Sequence, residues 1–121
     1  MGLKPVLKLW LDQGGKAFGD GPYEILKGIE ATGSLQKAAA QMGMSYSKAW
    51  KLMREIEQRL GFALLDRRVG GQSGGGSQIT PQAKELMICY ARFQREAKCA
   101  IEKIYAKHFD PSFKSREQKR V

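Results

Sequence analysis

Apolar residues recur mostly at helical spacing along this chain, which predicts four helices. The first runs from Pro22 to a stop at Gly33, with an apolar face formed by Ile25, Leu26 and Ile29. The second is short, with Ser34 as its N-cap and Gly43 as the turn residue that ends it. A mostly helical fold follows from this pattern.

The third predicted helix spans residues 45–60, and its two faces differ in character. Ser45 can cap it, and its apolar seam consists of Ala49, Met53, Ile56 and Leu60. At 100° per residue, the outer side then carries Ser47, Lys48, Lys51 and Arg54. Tyr46 and Trp50 flank the seam, so each ring either covers the edge of the core or turns outward.

The fourth predicted helix spans residues 81–107 and starts at a Thr80–Pro81 pair, an N-cap followed by a first-turn proline. Its apolar residues alternate at spacings of four and three, as in a coiled coil: Leu86, Tyr90, Phe93, Ala97, Ala100 and Ile104. The seam could pack against the rest of its own chain. A helix of about 40 Å outreaches a domain of this size, which favours dimerisation with a second copy.

Two further regions predict strands. Residues 4–12 are rich in strand formers and predict one strand that leads into a glycine-dotted turn. Residues 62–69 and 78–80 predict a β-ribbon joined by residues 70–77, which include five glycines in eight positions. The predicted fold class is therefore mostly α with a small β-ribbon, a winged helix-turn-helix followed by a long C-terminal dimerisation helix. It would form one domain over residues 1–107, with a basic, flexible tail over 108–121.

Composition narrows the class of protein. The 121 residues suit one domain, no apolar run is long enough to cross a bilayer, and the N-terminus lacks a signal pattern, so a cytoplasmic protein is expected. Cys89 and Cys99 lie too far apart on one helix to pair within it, although each could meet its twin in a dimer. The single His108 and scattered acidic residues give no metal-ligand spacing, which argues against an enzyme.

The charge pattern indicates a polyanionic partner. The formal net charge is +9, and residues 1–33 carry as many acidic as basic side chains, so the excess begins at residue 34. A basic helix face by itself is more often only a solvated surface. Here it follows a short helix and a glycine turn and precedes a ribbon with Arg67 and Arg68, a combination typical of a unit that binds duplex DNA. The glycine-rich loop lacks the Lys-Ser/Thr of a phosphate-binding loop and is better interpreted as a wing, or as a merely disordered hairpin tip. As a wing it would offer hydrogen bonds to DNA from Gln72, Ser73, Ser77 and Gln78.

Several of these motifs resemble one family. The run G-S-L-Q-K-A-A-A-Q-M-G-M-S-Y-S-K-A-W from Gly33, the double-Gly then triple-Gly wing, and the T-P helix start resemble the N-terminal domain of ModE-type molybdate-responsive transcription regulators over residues 4–107. The most specific piece is S-Y-S-K-A-W at 45–50, since a bare helix-turn-helix would also resemble LysR-type regulators. The resemblance implies a homodimer through the first and last helices that binds a palindromic operator.

The resemblance also bears on sensing. Full-length members carry oxyanion-binding β-barrel modules after this domain, where this chain ends. No cofactor is therefore expected, and sensing would fall to a separate sensor protein, to another signal or to none.

The leading hypothesis is a sequence-specific transcription regulator that binds double-stranded DNA. The alternatives are a non-specific architectural DNA-binding protein, for which positive charge suffices, and a protein-interaction module. The predicted DNA-binding residues are those of the two helix starts, the outer face of the third helix and the wing: Ser34, Lys37, Ser45, Tyr46, Ser47, Lys48, Trp50, Lys51, Arg54, Arg67, Arg68, Gln72 and Ser73.

Overall fold

A computed structural model describes residues 2–66 and 76–109. The helices are α1 (Asp20–Thr32), α2 (Leu35–Gln41), α3 (Tyr46–Leu60) and α4 (Pro81–His108). The strands are β1 (Trp10–Asp12), β2 (Lys16–Gly19), β3 (Leu65–Asp66) and β4 (Gln78–Ile79). Three short helices, a two-stranded ribbon and a long helix, in this order, confirm the winged helix-turn-helix with a long C-terminal helix.

The residues separate into two compact units. Leu9–Cys89 forms the first, and the described parts of Met1–Lys8 and Tyr90–Val121 form the second. The first unit contains α1 to α3 and all four strands, with a core that follows the predicted helical faces. Its buried apolar side chains include Phe18, Ile25, Leu26, Ile29, Leu35, Ala38, Ala39, Ala49, Met53, Ile56 and Leu64.

Helices α1 and α2 approach closely at Gly28. A Cβ atom built on Gly28 would lie 2.8 Å from the Cβ of Ala38 and 3.2 Å from its Cα, well inside ordinary contact distance. A glycine costs about 1 kcal/mol relative to alanine in a helix interior, so this position gives up helix propensity for close packing. The contact fixes the spacing between α1 and the first helix of the helix-turn-helix.

The N-terminal strand prediction needs correction. Instead of one strand over residues 4–12, only Trp10–Asp12 is strand, and it pairs antiparallel with Lys16–Gly19, with Leu11 opposite Phe18. Strand β2 was missed because its four residues lie among glycines that resemble a continuous turn. Helix α1 also starts two residues earlier than predicted, at Asp20, because Pro22 is tolerated within a first turn, where no intrahelical N–H partner is needed.

The ribbon forms where it was predicted, but its paired part is short. Leu65 is opposite Ile79 and Asp66 is opposite Gln78, and the N–H of Thr80 donates to the carbonyl oxygen of Leu64 at 3.0 Å. Thr80 also caps α4 as predicted, since its Oγ1 accepts from the N–H of Ala83 at 3.1 Å. Most of the predicted wing, residues 70–75, lies outside the described residues.

The second unit places the chain start along the end of α4. The hydroxyl of Tyr105 donates to the carbonyl oxygen of Leu3 at 2.7 Å, and the rings of Tyr105 and Phe109 stack with centroids 5.0 Å apart. Helix α4 has 28 residues and extends to His108, one residue beyond the prediction. The predicted flexible tail lies, from residue 110 onward, outside the described residues.

Candidate nucleic-acid interface

The turn between α2 and α3 is built from local hydrogen bonds. The N–H groups of Gly43 and Met44 donate to the carbonyl oxygens of Ala40 and Ala39, at 3.0 and 2.9 Å. Gly43 has φ = 68°, a left-handed conformation that glycine adopts without the steric cost of a Cβ. The chain therefore turns within the four residues that separate α2 from α3.

Both helix starts are capped by serine, as predicted. The Oγ of Ser34 accepts from the N–H of Lys37 at 3.1 Å, and the Oγ of Ser45 accepts from the N–H of Lys48 at 3.2 Å. Each hydroxyl keeps its own proton, so a capping serine can still donate to a phosphate oxygen. Ser34 and Ser45 therefore have a structural role as caps. Their contact with DNA stays a prediction and would be a second role.

Helix α3 divides into the two predicted faces. Ala49, Met53 and Ile56 are buried, which places the opposite side of the helix in solvent. The side chains of the predicted outer set are all exposed: Ser47, Lys48, Lys51 and Arg54. Lys37, on α2, is exposed as well. Hydroxyl, ammonium and guanidinium groups of this kind bind phosphate oxygens and the major-groove edge of guanine.

The two aromatic rings at the edge of the seam are each partly open to solvent. Tyr46 is 52% exposed and Trp50 is 41% exposed, so part of each ring is accessible to a ligand. The guanidinium of Arg54 lies over the ring of Trp50, with Cζ 5.2 Å from the ring centroid. The sequence placed both residues on α3 but gave no sign of this contact.

The ribbon is tied to the helices by hydrogen bonds that the sequence did not predict. The Oε2 of Glu57, on α3, accepts from the N–H groups of Leu64 and Leu65 at 2.7 and 3.2 Å. At the other end of the wing, the N–H of Ser77 donates to the carbonyl oxygen of Gly33 at 2.7 Å. The Oγ of Ser77, considered earlier as a DNA contact, accepts from the N–H of Leu35 at 3.4 Å. These bonds join both ends of the wing to the helix-turn-helix.

Other wing candidates lie outside the described residues: Arg67, Arg68, Gln72 and Ser73. Over residues 2–66 and 76–109, no group of three His, Cys, Asp or Glu side chains could hold a metal ion. Within the same ranges, no helix is long and apolar enough to cross a membrane.

The predicted seam of α4 is partly buried and partly open. Tyr90 is 1% exposed, whereas Phe93 and Ile104 are 50% and 53% exposed. Leu86 and Ala97 are intermediate, and Ala100 is exposed. The N-terminal part of the seam, Leu86 and Tyr90, is thus largely covered. The C-terminal part, from Phe93 to Ile104, leaves large apolar side chains in solvent.

A capped helix pair joined by a tight glycine turn, followed by an antiparallel ribbon fixed to both helices, defines a winged helix-turn-helix DNA-binding domain. Its outward helix face supplies hydrogen-bond donors and cations. The chain belongs to the bacterial regulatory helix-turn-helix proteins of the lysR family, whose model matches residues 23–84.

Among curated relatives, the chain is similar to ModE proteins, which confirms the resemblance found in the sequence. It is 37% identical over 73 residues to the molybdenum transport protein ModE of Herbaspirillum seropedicae, an alignment that covers 60% of this chain and 27% of the relative. It is 34% identical over 76 residues to the DNA-binding transcriptional dual regulator ModE of Escherichia coli K12, covering 60% and 29%. The molybdenum-pterin-binding protein MopB of Rhodobacter capsulatus is 30% identical over 84 residues, covering 69% and 31%. The chain thus spans about a third or less of these relatives.

Proposed function

We propose that this protein is a sequence-specific transcription regulator that binds an inverted-repeat operator as a homodimer, with α3 in the major groove. The observation that carries the proposal is the exposed outer face of α3, where Lys48, Lys51 and Arg54 stand opposite a buried seam. In helix-turn-helix proteins the second helix of the pair presents such side chains to base edges. The wing would contact the neighbouring backbone.

The dimer part of the proposal rests on α4. Phe93 and Ile104 are large, apolar and half exposed on one helix, an arrangement that a second copy of the chain would bury. In a two-fold dimer the two α3 helices would lie about one turn of DNA apart, roughly 34 Å, which calls for an inverted repeat. Operator symmetry and dimerisation are therefore linked parts of one proposal.

The names of the relatives suggest which genes the regulator controls. Two are named ModE and one is named as a molybdenum-pterin-binding protein, so we propose that the regulated genes are connected with molybdenum. The matched region is a third or less of those proteins, so we propose for this chain the DNA-binding part of such a regulator. A separate sensor protein remains one way in which such a unit would be controlled.

The test is recovery of genomic fragments. Purified full chain is incubated at physiological salt with sheared DNA from its source genome, and the bound fragments are sequenced. A specific regulator prefers its operator to unrelated DNA by about a thousandfold or more, so a few sites that share an inverted repeat should dominate. Their neighbouring genes then test the molybdenum connection directly.

Uniform recovery of fragments would contradict the proposal and favour the non-specific architectural alternative. That alternative is supported by the net charge of +9, since phosphate neutralisation gives affinity without regard to sequence. Sedimentation of the chain without DNA measures its oligomeric state separately. A monomer at all concentrations would contradict the homodimer but not the binding of DNA.

A further inference from the structure

We infer that Trp50 and Arg54 act as one unit, in which Arg54 recognises a guanine in the operator and Trp50 is the positioning residue that sets the guanidinium for it. The inference deepens the proposed function and rests on it. It assigns to Trp50, which is exposed and uncharged, a role in the preference for one DNA sequence over another.

The first observation is the position of Arg54 relative to Trp50. Trp50 and Arg54 are one helical turn apart on α3, and the guanidinium lies over the indole face at 5.2 Å from the centroid. A guanidinium held over an aromatic face keeps its N–H donors, which lie in its own plane. Those donors match the O6 and N7 acceptors that guanine presents in the major groove.

The second observation is what Arg54 does not contact. Among residues 2–66 and 76–109, no side chain or carbonyl forms a hydrogen bond or ion pair with its guanidinium, which lies over the Trp50 ring. Arg59, also on α3, differs, since its Nη1 donates to the carbonyl oxygen of Lys16 at 2.7 Å. The donors of Arg54 are therefore available to an external ligand, whereas Arg59 is used in holding the fold.

The third observation is the exposure of Trp50. Trp50 is 41% exposed, whereas Ala49, Met53 and Ile56 on the same helix are buried. Its contact with Arg54 restricts a long side chain that would otherwise sample many rotamers before binding. Immobilising such a side chain beforehand removes part of the entropic cost of complex formation.

The experiment uses the full chain and the strongest operator recovered from the genome, with each guanine replaced in turn by 7-deazaguanine, which lacks the N7 acceptor. For the wild type, one guanine per half-site should show a large loss of affinity, and that loss should disappear in Arg54→Ala. A bidentate arginine–guanine contact corresponds to about 5- to 150-fold in discrimination. The guanine identified in this way is the base that Arg54 contacts.

Trp50 is then tested at that same guanine. In Trp50→Leu the 7-deaza penalty should shrink about two- to fivefold, the size of an exposed cation–π contact, and Trp50→Phe should restore most of it. Trp10→Leu is the matched control, because Trp10 is also exposed and also lies under a cation, Lys16, but belongs to β1. Trp10→Leu should leave the penalty unchanged, and all variants should melt within a few degrees of the wild type.

The outcomes distinguish a failure of the proposed function from a failure of the inference about Trp50 and Arg54. If the wild type shows no preferred site, the proposed function fails and the inference fails with it. If an operator exists but Arg54→Ala weakens all DNA equally, Arg54 contacts phosphate, and the inference alone is overturned. The inference is also overturned if Trp50→Leu lowers affinity while the 7-deaza penalty at the Arg54 guanine stays at its wild-type value.

Discussion

The carboxylate of Glu57 accepts hydrogen bonds from the backbone N–H groups of Leu64 and Leu65, so one side chain of α3 holds the first strand of the wing. Both N–H groups are partly buried and precede or begin β3. A charged acceptor makes such bonds stronger than neutral ones. The angle between α3 and the ribbon, which determines how both can meet one DNA duplex, is therefore set in part by this carboxylate.

Replacing Glu57 by Ala should destabilise the protein by about 1–3 kcal/mol, because two partly buried donors lose their acceptor. Glu57→Gln keeps an acceptor oxygen and should lose less. Thermal unfolding followed by circular dichroism measures both. Glu55→Ala is the control, since Glu55 is exposed on the same helix and should change stability by no more than about 0.5 kcal/mol. Equal effects at 55 and 57 would contradict the assigned role.

The close contact between α1 and α2 predicts that substitutions at Gly28 and Ala38 are coupled. Gly28→Ala should destabilise the fold by up to about 2 kcal/mol, because overpacking at 2.8 Å from Ala38 outweighs the gain in helix propensity. In an Ala38→Gly background the contact at 2.8 Å is removed while the Cα of residue 38 remains at 3.2 Å, so the same substitution should destabilise the fold less. Denaturant unfolding of the four proteins gives the coupling, and additive effects would show that the contact does not limit the packing.

The turn of the helix-turn-helix can be tested through the conformation of Gly43. Gly43→Ala should cost about 1–2 kcal/mol, because φ = 68° brings a Cβ into steric conflict with its own backbone. Gly43→Asn should cost less, since asparagine tolerates this region. Gly21→Ala is a matched control, because a Cβ at either position meets no heavy atom within 4 Å but Gly21 lies in helical backbone. A loss at Gly21 as large as at Gly43 would refute the conformational explanation.

The buried helix faces and the helix caps could be predicted from the sequence. The faces of α1 to α3 were predictable because periodicity at Ile25, Ala49 or Met53 reports burial against any neighbour, whichever neighbour it is. The caps Ser34, Ser45 and Thr80 were predictable because capping is local in sequence.

Contacts between distant positions were not predictable in this way. Glu57 with Leu64, Ser77 with Gly33 and Leu35, and Gly28 with Ala38 depend on how the elements pack after they form. Strand β2 belongs to the same group, since four residues become a strand only when β1 pairs with them. For the interface, the sequence identified which side chains face outward, but the contact of Arg54 with the Trp50 ring required coordinates.

The C-terminal part of the α4 seam, from Phe93 to Ile104, predicts an oligomer that can be disrupted without loss of the fold. Phe93→Asp combined with Ile104→Asp should convert a dimer to a monomer, because two half-exposed apolar side chains that a partner would bury are replaced by charges. Sedimentation velocity measures the change, and Lys98→Asp, an exposed position on the same helix, controls for added negative charge. Operator affinity should fall steeply in the double variant because each monomer contacts only one half-site. A double variant that sediments and binds like the wild type would show that this face is not the interface.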